Sequence, residues 1–136
     1  MGLLSRIFGS KDVESVKGIE SELVELKKES RCDIISFIGL SGRLKGLPLI
    51  YQADDENKLK QVTAHLIEFF PAFSRLTLGE ELEKFNVEFD KKSIFFREIT
   101  NKVGFFAVAS KFEHLSEAED WLKENYNSIY NIFLVK

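Results

Sequence analysis

Hydrophobic positions along this chain change period several times, and each change marks an element. In DVESVKGIESELVELKKES, residues 12–30, Val16, Ile19, Leu23 and Leu26 recur at three- and four-residue steps, which predicts a helix with one buried stripe and Asp12 as its N-cap. RCDIISFIGL loses that period. It is apolar at nearly every position from Ile34 to Leu40, the pattern of a strand covered on both faces. After SGRLKG comes LPLIYQA, a second strand entered through Pro48, and the two form a hairpin. A long helix follows, capped by Asp54 or Asp55, with Leu59, Val62, Leu66, Phe69 and Phe73 as its buried stripe and Pro71 helping to end it.

ELEKFNVEFD then alternates, with Phe85, Val87 and Phe89 on one side and Lys84, Asn86 and Glu88 on the other, so one face is wet or poorly covered. SIFFREIT and VGFFAVAS are two further strands, joined through turns short enough to force antiparallel neighbours. SEAEDWLKENYNSIYNIF closes the chain as a helix, with Ser116 as its expected cap and Trp121, Leu122, Ile129, Ile132 and Phe133 as its apolar series. The first and last strands are the most apolar and belong together at the centre. The expected fold is therefore α+β, a five-stranded antiparallel sheet in the order 2-1-5-4-3. The middle helix covers one face and the two terminal helices cover the other.

Length and charge narrow the function. The chain has 136 residues, enough for one domain with a real core, placed at 12–136 behind an arm at 1–11. With 19 basic against 22 acidic residues, a net charge of −3, it has no overall basic field, and nucleic acid is not an expected partner. One cysteine, Cys32, excludes an internal disulfide and fits a reducing, cytoplasmic compartment. The apolar runs fall far short of the roughly 20 residues that cross a bilayer.

MGLLSRIFGSK is too interrupted for a secretory leader, because Ser5 and Arg6 break its apolar block. Arg6 also stands where a myristoylation pattern asks for Ser or Thr. Leu3, Leu4, Ile7 and Phe8 fall on one side of a helix, with Arg6 and Lys11 available to anionic headgroups. Two readings stand: a peripheral membrane contact, or an arm that packs on the protein or a partner or frays.

No catalytic constellation emerges. His65 and His114 are far apart, without a nucleophile near either in sequence, and both read as surface histidines. Asp54, Asp55 and Glu56 fit a helix cap better than a metal loop, since no closing glycine and glutamate follow at calcium-loop spacing. Gly39, Gly42 and Gly46 precede a strand, not the helix that a phosphate-cradling loop requires. Neither a metal nor a cofactor is expected, and the 13 phenylalanines read as core.

The element order, the turn Gly46-Leu47-Pro48-Leu49 and the strand GFFAVAS together resemble the roadblock family, named for a dynein light chain. Where that family usually carries Asp, three residues before the turn glycine, this chain has Arg43. The resemblance implies a distant member with a roadblock, longin or profilin-like fold that forms a homodimer through its third strands, with the two middle helices side by side. It also implies a small Ras-like GTPase as partner, for which the protein is a noncatalytic regulator or scaffold. The helical period sets Lys58, Gln61, His65 and Glu68 on the outer face, the surface the resemblance assigns to the GTPase. Lys60, Ala64 and Ile67 form a flank that suits the partner helix, or else widens the core stripe. Phe85, Val87 and Phe89 complete the expected dimer interface. The alternatives are a PAS-like small-molecule sensor, which would normally place several short helices and a cavity where this chain has one long helix, and a membrane-recruited longin-type trafficking module.

Overall fold

The computed structural model describes residues 15–74 and 82–135. Three helices, α1 (Val16–Ser30), α2 (Glu56–Ser74) and α3 (Phe112–Val135), flank five strands: β1 (Ile34–Gly39), β2 (Pro48–Ala53), β3 (Lys84–Glu88), β4 (Ser93–Thr100) and β5 (Val103–Ala109). The strands form one antiparallel sheet in the order β2-β1-β5-β4-β3, as the apolar runs predict. Every residue of β1 and β5 is buried. That is why these two strands are central: only a site covered on both faces keeps both alternating side-chain sets out of water.

Two cores result. On the α1/α3 face Ile19, Leu23, Ile35, Phe37, Phe95, Phe105, Trp121, Leu122 and Ile129 pack together. On the α2 face Leu59 and Leu66 cover Ile34, Ile38, Phe96, Phe106 and Val108. The strand directions define two ends of the molecule. Ile34 begins β1 opposite Ala53 and Val108, whereas Gly39 ends it near Pro48 and Val103. α2 and α3 start at the Ile34 end.

Helix boundaries depart from the sequence reading in three places. α1 is capped by Ser15, whose side chain accepts from Gly18 N at 3.1 Å; Asp12 lies outside the described residues, as do the side chain of Phe73 and the arm residues Leu3, Leu4, Ile7 and Phe8. Pro71 does not end α2 at its own position: the helix runs through it for three more residues to Ser74, forgoing the one bond that a residue-71 N–H would have made to the Ile67 carbonyl. Ser116 is no cap either, because α3 already begins at Phe112. Among the described residues no helix is long and apolar enough to cross a membrane, and no cluster of His, Cys, Asp or Glu could hold a metal.

Cys32 sits just after α1, 2% exposed, with its Sγ 3.5 Å from the carbonyl oxygen of His114. Burial pushes its thiol up from the ordinary value of 9.0 to about 11. The folded state thus holds this proton after the unfolded chain has released it. Stability from this group is complete below pH 9 and is lost as pH rises towards 11, about 2–3 kcal/mol in all. Urea denaturation at neutral and alkaline pH should show that loss in the wild type and a smaller one in Cys32→Ala; equal losses would contradict the assignment.

Candidate functional site

The structure sorts the residues of α2 by helical angle. Asp55 starts the helix: its Oδ1 accepts from Asn57 N at 2.9 Å and from Lys58 N at 3.3 Å, and its carbonyl accepts from Leu59 N. Asp54 is committed elsewhere, in an ion pair with Lys27 of α1. The buried stripe is Leu59, Thr63 and Leu66, with Val62 and Phe70 half-buried beside it. Thr63 is tolerated there because its hydroxyl donates to the Leu59 carbonyl at 2.7 Å. Phe69, expected in the stripe, is 43% exposed and meets the ring of Phe85 edge-on at 5.9 Å. Its place against the sheet is taken by Phe70, whose ring lies 5.1 Å from that of Phe96.

All four residues expected on the outer face, Lys58, Gln61, His65 and Glu68, are exposed. They do not form one row. Lys58, His65 and Glu68 line a groove on the flank that looks towards β3, together with Val62 and Phe69, whereas Gln61 is exposed and does not line it. Ile67, half-buried, lies against Gly46 of the β1–β2 loop, so Lys60, Ala64 and Ile67 are on the flank away from β3. The expected dimer set is therefore split between opposite sides of α2: its helical members face the β2 edge, and Phe85, Val87 and Phe89 face the other way.

The groove runs between α2 and the β3–β4 hairpin at the Ile34 end, with a volume of about 1070 Å³. Ile34, Val62, Leu66, Val87, Ile94 and Val108 make an apolar floor and walls. Phe89, 60% exposed, stands at its rim. An ion pair between Lys92 and Asp33 braces one end, and Lys92 also donates to Ser110 Oγ at 3.2 Å. The groove exists because α2 lies nearest to β2 and leaves the β3 side of the sheet thinly covered. No sequence period reports how a helix sits across a sheet, so sequence reasoning misses these walls.

β3 itself shows the alternation that its sequence predicts, with Phe85 and Val87 half-buried and Lys84, Asn86 and Glu88 exposed. Phe85 stacks on Phe96 at 5.0 Å, and Lys84 forms an ion pair with Glu119 of α3. Phe89 N donates to the Lys92 carbonyl and Glu98 N to that of Glu83, so the odd-numbered residues 83–89 bond inward to β4. The backbone groups of Lys84, Asn86 and Glu88 therefore point out along an edge that no described strand covers.

The histidines divide. His65 is exposed as expected, whereas His114 is half-buried with its Nδ1 enclosed and unbonded, because α3 begins early enough to carry it into the helix. Among the described residues Cys32 contacts the backbone of His114, but it is buried and its thiol is pushed up, which disfavours the thiolate.

No protein-family model matches the sequence, and no curated protein does. Solved structures do. The chain is similar to an MglB with a tetrameric arrangement, at 16% identity and a TM-score of 0.67, over 81% of this chain and 83% of that one. It is similar to the gliding protein MglB from Thermus thermophilus over 94% of this chain and 90% of that one, at 15% identity and a TM-score of 0.64. A Roadblock/LC7 domain from Streptomyces avermitilis matches at 12% identity and a TM-score of 0.63, over 77% of this chain and 87% of its own. At such identities the likeness is one of architecture, and the architecture is specific: this chain has the roadblock/LC7 fold.

Proposed function

We propose that the protein is a distant roadblock-family member, a noncatalytic homodimer that binds a small Ras-like GTPase and regulates or scaffolds it. The observation that carries this reading is the open edge of β3 lying beside the α2 groove. A second copy offers each feature its complement at once, strand against strand and apolar helix flank against apolar groove. An unpaired edge strand is a hazard that soluble proteins cover or pair. In this arrangement Phe69, Phe89, Val62 and Val87 lose their exposure, Lys58, His65 and Glu68 border the seam, and two copies of Gln61 lie on the outer side of the helices.

The GTPase is the partner that the roadblock resemblance implies. Gln61→Lys, on the exposed side of α2 outside the groove, should leave folding and dimerisation intact and weaken GTPase binding by at least tenfold, about 1.4 kcal/mol. Pull-down with Ras-like GTPases in both nucleotide states identifies the ligand, and isothermal titration measures the change. Unchanged affinity in a folded dimer would move the docking surface away from α2.

A second reading, a small-molecule sensor, draws on the volume of the same groove. It requires the groove to stay open in the assembled protein, so a dimer that buries Phe69 and Phe89 excludes it.

A further inference from the structure

We propose that the Gly39 end of the molecule, built around the β1–β2 loop, docks on an anionic lipid surface. This proposal does not depend on the GTPase reading and concerns the opposite end of the domain from the groove. The loop exposes two leucines, Leu44 and Leu47, each 49% accessible, and alternates them with Arg43 and Lys45, both exposed. Lys102, exposed in the β4–β5 turn, adds a further cation beside them. No acidic residue occurs from 34 to 53 or from 99 to 112, the stretches that form this loop, the neighbouring β4–β5 turn and the strands they join. Among the described residues, the acids on neighbouring elements that come nearest, Glu20, Glu83 and Glu98, stand back in the second turn of α1, just before β3 and two residues before the end of β4, and Glu83 lies 3.8 Å from the Arg97 guanidinium. The far end carries both signs, Asp54, Asp55, Glu56 and Asp90 beside Lys91, Lys92 and Lys111, whereas the loop and its neighbouring turn carry cations alone and would face a negative surface.

The exposure is built in, because the loop is fixed. Gly46 N donates to the Gly39 carbonyl at 2.9 Å, Gly39 N to that of Leu47 at 3.0 Å, and Leu40 N to that of Lys102 at 2.8 Å. Ser41 Oγ reaches the Asn101 carbonyl at 3.3 Å and ties the loop to the neighbouring turn. A Cβ at Gly39 would lie 2.0 Å from the Leu44 carbonyl oxygen, so only glycine allows this closure. A hydrogen-bonded loop that holds two leucines in water between cations has the composition of a headgroup-level contact: apolar side chains for the acyl boundary, and cations for phosphate and carboxylate groups. A soluble acidic partner would use the cations and have less need of the leucines.

Co-sedimentation of the full chain with vesicles tests the proposal. Wild type should bind vesicles of phosphatidylcholine mixed with phosphatidylserine and not those of phosphatidylcholine alone. Arg43→Glu with Lys45→Glu, and separately Leu44→Ser with Leu47→Ser, should each lower binding about tenfold or more, with circular dichroism unchanged. Absence of wild-type binding, or wild-type binding in both variants, overturns it. So does dependence on the charges without dependence on the leucines, which would assign the loop to an acidic protein. An Ile7→Ser, Phe8→Ser variant separates the arm: if it alone abolishes binding while both loop variants bind normally, the arm is the anchor and the loop is not.

Discussion

Asn86→Pro should turn a dimer into a monomer without unfolding it, halving the mass seen by light scattering to the 15.7 kDa of one chain. The expectation follows from which way the β3 backbone points. The bonds at Phe89 and Glu83 set the odd-numbered residues against β4, so the N–H of Asn86 faces outward and joins no bond among the described residues. A proline there removes a donor only from a pairing with a second copy, and edge strands accept proline on their free side. Val87→Pro, one residue on, is the control with the opposite logic. Its N–H faces β4 opposite Ile94, so its loss leaves a carbonyl unbonded inside the sheet and costs about 1–3 kcal/mol of fold stability. A variant carrying Asn86→Pro that stays dimeric would exclude the β3 edge as the interface, and a monomeric wild type at micromolar concentration would remove the homodimer altogether.

The contrast between those two neighbours also shows where sequence reasoning works and where it stops. Strand order is legible because β1 and β5 are apolar on both faces, a property of composition that only a central position satisfies. The alternation of β3 is legible for the same reason, but alternation describes side chains. Which backbone groups face the edge depends on the register with β4, and that is set by the Lys92–Phe89 turn.

On α2 the apolar pattern misleads by one position. It treats Thr63 as polar and Phe69 as buried, whereas a buried threonine is admissible once its hydroxyl reaches the carbonyl four residues back. That one-residue rotation moves Phe69 from core to rim and splits the expected outer row between groove and solvent. The groove is not legible at all, since it comes from the placement of α2 over the β2 side of the sheet.

On the opposite face the largest loss of stability is expected from Trp121→Ala, about 3–5 kcal/mol, enough to unfold a marginal domain. Trp121 is 1% exposed and joins three parts of the fold. Its ring lies 6.3 Å from Phe37 of β1 and 6.0 Å from Phe105 of β5, and its Nε1–H donates to Glu22 Oε1 of α1 at 3.1 Å. Packing and hydrogen bonding can be separated. Trp121→Phe keeps much of the ring contact but withdraws one donor from a carboxylate that is 8% exposed, which should cost about 1–3 kcal/mol. The alanine variant adds the cavity. Because this is the chain's only tryptophan, both variants lose the fluorescence signal and urea denaturation should be followed by circular dichroism. Equal losses in the two variants would mean that the Glu22 bond, and not the ring, holds α1 to α3. A loss below about 1 kcal/mol in the alanine variant would mean that this core is loosely packed. Because Trp121 clamps α1 to α3 across β1 and β5, either result also measures how firmly α1 is held on this face of the sheet.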